Sequence, residues 1–156
     1  MAQDRNINNA VPALQEAWKL VQAKWAINYT GNIRPVLVEV HRSAATQKAY
    51  FAQGRYGLAM VNKLRAEAGL PALSAEQNRR VITYRREGSS KHEFFPSRAI
   101  DIMLMKGSEV VNDPIWYRRM ADMIRAQNPN ITWGGDWDGD QRMDDEKFVD
   151  MPHFEV

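Results

Sequence analysis

Ala99-Ile-Asp-Ile-Met-Leu-Met105 is an apolar run with one carboxylate in it, and its reading sets the architecture. As a strand it sends Ile100, Ile102 and Leu104 to one face, into a core, and leaves Asp101 on the other with Ala99 and Met103. A carboxylate in such a strand needs a partner, because burying it unpaired is costly. Metal ligation would supply one, and a salt bridge to Arg98 or another basic group is the alternative.

Outward from this strand, Pro35-Val-Leu-Val-Glu-Val-His-Arg42 reads as a second strand, feeding a helix that begins after Ser43 and runs through Tyr50 and Phe51. Val81–Tyr84 is a further strand candidate, and Ile131–Trp133 and Pro152–Val156 read as short closing strands. Val11, Leu14, Trp18, Val21 and Trp25 recur at intervals of three and four, which predicts an amphipathic helix over about 10–27. A helix over about Leu58–Ala68 stops at Gly69 and Pro71, and Pro114 opens another that carries Trp116, Met120, Met123 and Ile124. Strands mixed with segregated helices predict an α+β domain around a central, mostly antiparallel sheet. A chain of 156 residues is long enough for one domain with one core, so residues 1–156 are expected to form it, with about 1–30 as a helical segment packed on it.

Charge and composition exclude several classes of function. A formal balance of +2 is too small for a nucleic-acid protein, and no stretch approaches the apolar length of a membrane span. The N-terminus has no basic segment followed by an apolar run, so synthesis in the cytoplasm without an export signal is expected. With no cysteine, any metal must be held by nitrogen and oxygen.

The chemistry concentrates at three places. His92, Asp101 and His153 supply two imidazoles and a carboxylate, a donor set that suits a zinc ion with one position left for water, although such a set also binds other divalent ions. Asp150, three residues before His153, is placed to act as general base on that water, and Glu155 alternates onto the face of His153 as a partner for a ligand. Arg42, followed by Ser43 and Gln47, could donate to a scissile carbonyl as negative charge develops, or be an ordinary surface arginine. Strand alternation would send His41 away from Arg42. The chain reads as a metallohydrolase.

The order His41-Arg42-Ser43…Gln47, Ser90-x-His92…Ala99-x-Asp101, Trp133-Gly-Gly-Asp-Trp137 and Asp150-x-Pro-His153-Phe resembles the zinc D-alanyl-D-alanine carboxypeptidase and dipeptidase family, most closely its phage L-alanyl-D-glutamate endopeptidases. The resemblance spans about residues 36–156. It implies a Hedgehog/DD-peptidase-like fold with zinc on one face of an antiparallel sheet, held by His92, Asp101 and His153, with Asp150 as base and Arg42 as electrophilic stabiliser. The implied substrate is the peptide stem of bacterial peptidoglycan, cut between L-alanine and D-glutamate by a monomeric phage or prophage endolysin that waits in the host cytoplasm and reaches the wall after release. A D-alanyl-D-alanine carboxypeptidase, or a non-catalytic wall-binding or virion protein, are the alternatives.

Two departures accompany the resemblance. His92 and Asp101 are nine positions apart, against seven in the family pattern S-x-H-x-x-G-x-A-x-D, so Glu93-Phe-Phe-Pro96 is read as a loop extension. An acidic insertion before Asp150 aligns Asp136, Asp138, Asp140 and Asp144 with oxygen-ligand positions of a calcium loop, without its glycine at six or glutamate at twelve. A Ca2+ site and a solvated acidic loop are both open there. Trp133 and Trp137 are candidates for packing or for lining a substrate groove.

Overall fold

The structure is a computed structural model and describes residues 3–29 and 31–156; Met1, Ala2 and Thr30 of the expected N-terminal segment lie outside the described residues. Helix α1 (Pro12–Asn28) starts on a proline at its first turn and buries Leu14, Ala17, Val21 and Trp25, while Trp18 of the expected stripe is only half-buried. Helix α4 (Pro114–Gln127) is capped by Asp113, whose carboxylate accepts from the Ile115 amide at 3.1 Å. It buries Tyr117, Met120, Ala121 and Ile124.

Strands β1 (Ile33–Glu39), β2 (Ala99–Lys106), β4 (Thr132–Trp133) and β5 (His153–Glu155) form a sheet in the order β1-β2-β5-β4, with β3 (Glu109–Val110) pairing to β2 as well. Every strand pair is antiparallel. Ile100, Ile102 and Leu104 of β2 are fully buried with Phe154 of β5 beneath α1 and α4, and the Tyr117 hydroxyl accepts from the Leu104 amide at 3.1 Å. This face is the main core. Asp101 and Met103 therefore stand on the other face, as the alternation predicts.

Between β1 and β2 the chain makes a long excursion. Helices α2 (Ala44–Ala52) and α3 (Leu58–Glu67) pack on each other through Ala49, Ala52, Val61, Leu64 and Ala68 as a second, smaller apolar cluster. Two expectations are corrected here. β1 ends at Glu39, because the register shifts between Leu37 and Glu39 and Val40 turns away to donate its amide to the Asp4 carbonyl at 2.8 Å. Val81–Tyr84, expected as a strand, joins no ladder. Its carbonyls and side chains are held by side chains instead, with Arg55 Nη2 donating to Thr83 O at 2.9 Å. A β-branched run becomes a strand only where a free sheet edge meets it.

Candidate metal centre and its cleft

The second face of the sheet carries one transverse row of polar residues. Asp101 is the register partner of Glu39 on β1 and of His153 on β5, so the three side chains project side by side. His92 joins them from a short turn, Lys91–Glu93. That turn is fixed by reciprocal caps: the Ser90 hydroxyl accepts from the His92 amide, and the Glu93 carboxylate accepts from the Ser90 amide at 3.0 Å. The extra residues of the loop bulge outward, leaving Phe94 and Phe95 exposed, and Ser97 tucks back in with its hydroxyl bonded to the β-strand backbone.

Tautomers follow from the outer partners. His92 Nδ1 lies 2.7 Å from Val40 O and donates to it, which turns Nε2 towards Asp101 and His153. His153 Nε2 lies 2.9 Å from Glu155 Oε2, which leaves Nδ1 facing inward. His92 Nε2, Asp101 Oδ1 and His153 Nδ1 then sit 3.2, 3.3 and 3.0 Å from one another. Ligands at zinc bond lengths in a tetrahedron are roughly 3.3 Å apart. The donor types, their spacing and the carboxylate behind His153 all fit a divalent metal ion, and this group could hold one. Asp101 finds its partners in these imidazoles and in Arg42, whereas Arg98 lies over the Phe94 ring.

Burial and the neighbouring charges set the electrostatics of this group. Burial works against ionisation of Asp101, but the charges and hydrogen bonds of His92 and His153 outweigh it and hold its carboxyl well below the usual range. Burial likewise opposes the His153 imidazolium, yet hydrogen bonds to Asp101 and Glu155 raise it to about 9. Asp150 goes the other way: burial first and the Asp101 charge second push it up to about 6.

The hairpin formed by β4, β5 and the chain between them delivers Asp150 and His153. Gly134 donates to His153 O at 2.8 Å and accepts from the Asp150 amide at 2.7 Å. A side chain at Gly134 would collide with the Asp150 carbonyl, and one at Gly135 would collide with the Trp133 ring. Trp133 is buried core, its Nε1 donating to Met151 O at 2.7 Å. Trp137 lines the cleft, with its ring 5.4 Å from that of His153 and its Nε1 bonded to Phe148 O at 2.7 Å.

Arg42 follows β1 rather than ending it. Its amide donates to His92 O at 2.9 Å, and its guanidinium is buried, 3.7 Å from Asp101 Oδ2. Nη1 donates to Gln47 Oε1 at 2.7 Å, Nη2 makes a close pair with Glu39, and the group lies 4.8 Å above the Tyr50 ring. Burial works against its charge, and Glu39 with Asp101 beside it more than offsets that. Nε is buried with no acceptor among the described residues. His41 is turned away, packed edge-on against Phe95. Glu39 is the site residue that the sequence reading missed. The signal was available: like Asp101, it is a carboxylate inside an apolar strand.

All these groups open into one cleft of about 910 Å³, lined by Arg42, His92, Asp101, Asp150 and His153 and walled by Ile82–Arg85 and Asp145–Phe148. In the acidic insertion, Asp136, Asp138 and Asp140 lie close enough to share an ion, but Asp136 is already bound by Arg125 at 2.9 Å and by the Gly139 and Gln141 amides. Asp144 is not brought to that group; it pairs with Arg142. Among the described residues no helix is long and apolar enough to cross a membrane.

No protein-family model matches the chain, and no curated protein matches it either. A solved structure does: that of the L-Ala D-Glu endopeptidase ChiX of Serratia marcescens is similar to this chain with a TM-score of 0.53 and 19% sequence identity, over 97% of this chain and 83% of that one. At that identity the likeness establishes the fold, an α+β arrangement shared with a peptidase.

Proposed function

We propose that the protein is a zinc-dependent peptidase that hydrolyses an amide bond in the peptide stems of bacterial peptidoglycan, between L-alanine and D-glutamate, and that it serves as a phage or prophage lysin. The observation that carries this reading is the trio of His92 Nε2, Asp101 Oδ1 and His153 Nδ1, 3.0–3.3 Å apart in a cleft that also holds Asp150 and Arg42. The shared fold with a peptidase supports it, as does the order of motifs along the chain.

A zinc ion in that triad would supply Lewis acidity and a water acidified towards roughly pH 7. Asp150, in the same cleft, takes a proton from the attacking water and passes it to the departing amine. Arg42, kept cationic and immobile by Glu39 and Gln47, donates to the substrate carbonyl oxygen as negative charge builds on it. Val40 O and Glu155 orient the two rings so that His92 Nε2 and His153 Nδ1 would face the ion.

Mass spectrometry of fragments released from purified peptidoglycan tests the assignment, with Asp150→Asn and chelator-treated protein beside the zinc-loaded one. The expected products carry a new D-glutamate amino terminus and are missing from both controls. Release of terminal D-alanine alone would make the protein a carboxypeptidase, and no cleavage of any wall type would make it a binding protein.

A further inference from the structure

Gln47 is fully buried, and its one amide joins two arginines. Oε1 accepts from Arg42 Nη1 at 2.7 Å, and Nε2 donates to the Arg85 carbonyl at 2.6 Å. A glutamine amide is rigid and planar, so it sets the distance between the Arg42 guanidinium and the Arg85 backbone. Arg85 is fixed again by its own amide, which donates to Thr83 Oγ1 at 3.2 Å, and by Nη1, which donates to Ser89 O at 3.2 Å. The side chain lines the metal cleft and is 45% exposed there.

The two guanidinium groups differ in what is left to them. Arg42 is buried and engaged by Glu39 and Gln47. Arg85 Nη2 stands 3.6 Å from Glu155 Oε1, too far for a hydrogen bond, while Glu155 Oε2 is held by His153 at 2.9 Å. Among the described residues, Arg85 Nε and Nη2 have no hydrogen-bond acceptor. A planar fork with free donors therefore enters the cleft one carboxylate away from the third metal ligand, which is the geometry that binds an external carboxylate. Tyr84 and Phe148, ring to ring at 4.8 Å, stand beside it on the wall of the cleft.

We propose that Arg85 is an anion subsite for a free carboxylate on the α-carbon next to the scissile nitrogen, and that Gln47 sets its spacing from Arg42. The inference rests on the peptidase reading above. It deepens that reading, because a D-glutamate joined onward through its side-chain carboxyl keeps its α-carboxylate at that carbon. Arg42 would meet the scissile carbonyl on one side of the bond and Arg85 the carboxylate on the other.

The test is a pair of synthetic stem peptides, identical except that one carries the free α-carboxylate and the other the α-carboxamide. Zinc-loaded wild type, Arg85→Gln, Arg85→Lys and Gln47→Leu are assayed on both, with metal content measured in each. Wild type should prefer the carboxylate peptide by about tenfold to a hundredfold in kcat/KM, mostly through KM, since a charge-assisted hydrogen bond is at stake. Arg85→Gln should collapse that preference, with the loss falling on the carboxylate peptide, and Arg85→Lys should restore part of it. Gln47→Leu should lower kcat on both peptides as well as raising KM for the carboxylate one. Binding of the two peptides to Asp150→Asn by calorimetry reads the same preference without turnover. An undiminished preference in Arg85→Gln would overturn the subsite and leave the peptidase standing. No cleavage of either peptide by wild type would overturn the peptidase, and the subsite with it.

Discussion

Glu39 and Asp101 are register partners on adjacent strands, two carboxylates side by side with Arg42 set against both. Like charges directly opposite one another destabilise a sheet, so the pair depends on the cation between them. Glu39→Gln removes the closer partner of Arg42 and leaves its guanidinium free to lean on Asp101. A loss of about 1.5–3 kcal/mol of stability is expected, read by urea unfolding, with kcat lowered at least tenfold and zinc stoichiometry kept. Unchanged kcat would show that Arg42 does not depend on Glu39 for its position.

Metal uptake should expel a proton. His153 is held at about 9 without metal, against an ordinary 6.5, so at pH 7 the imidazole must lose its proton before Nδ1 can ligate. Calorimetry in two buffers of different ionisation enthalpy should report about one proton released per ion at pH 7. Apparent affinity should rise nearly tenfold per pH unit from 7 towards 9 and then level off. Proton-free binding at pH 7 would mean that His153 is already neutral.

Asp150→Asn should keep the metal and lose turnover by about 100-fold to 10,000-fold. Its stability should carry a second signature. In the metal-free protein Asp150 is raised from 3.8 to about 6, so its contribution to stability is full below about pH 4 and is lost as pH rises through about 6. The asparagine variant lacks that step. It should match wild type near pH 4 and be more stable at pH 8 by at most about 3 kcal/mol. Parallel unfolding curves with the same difference at both pH values would show that Asp150 ionises normally.

Gly134→Ala places a methyl against the Asp150 carbonyl and 3.0 Å from His153 Cβ. A stability loss of about 1–3 kcal/mol and weakened zinc binding are expected together, because the same contact positions Asp150 and His153. Gly57→Ala meets nothing within 4 Å and should change stability by less than about 0.5 kcal/mol. Thermal unfolding and zinc titration of the two variants separate a local clash from a general dislike of alanine.

Much of the fold is legible where periodicity is long. The alternation of Ile100, Ile102 and Leu104 against Asp101 and Met103 announces a strand with a core face and a chemical face, and the structure has both. The metal-ligand candidates come together as read, because the register of β2 with β5 sets Asp101 beside His153 and the capped turn at Ser90–Glu93 brings in His92. What stayed hidden depends on contacts distant in sequence. Val81–Tyr84 has the composition of a strand but no edge to join, and β1 stops early because of a register shift at Val38 that no local pattern encodes. The roles of Glu39 and Gln47 arise from partners on other elements: Asp101 across the ladder, and Arg85 beyond two helices. Asp144 satisfied a spacing rule, yet its neighbour Arg142 claimed it.

The clamp at Gly134 has a consequence for how this protein can change. Its two backbone hydrogen bonds pin Asp150 and His153 to β4 whatever lies in the intervening chain. The stretch from Asp138 to Gln141 lies beyond these fixed points and away from the cleft lining, so its composition can drift without moving Asp150 and His153. That makes it an exchangeable cassette, and Asp145–Phe148 after it form the rim of the cleft. Under the proposed peptidase reading, replacing that rim should change which substrate the cleft accepts while leaving the triad of His92, Asp101 and His153 in place.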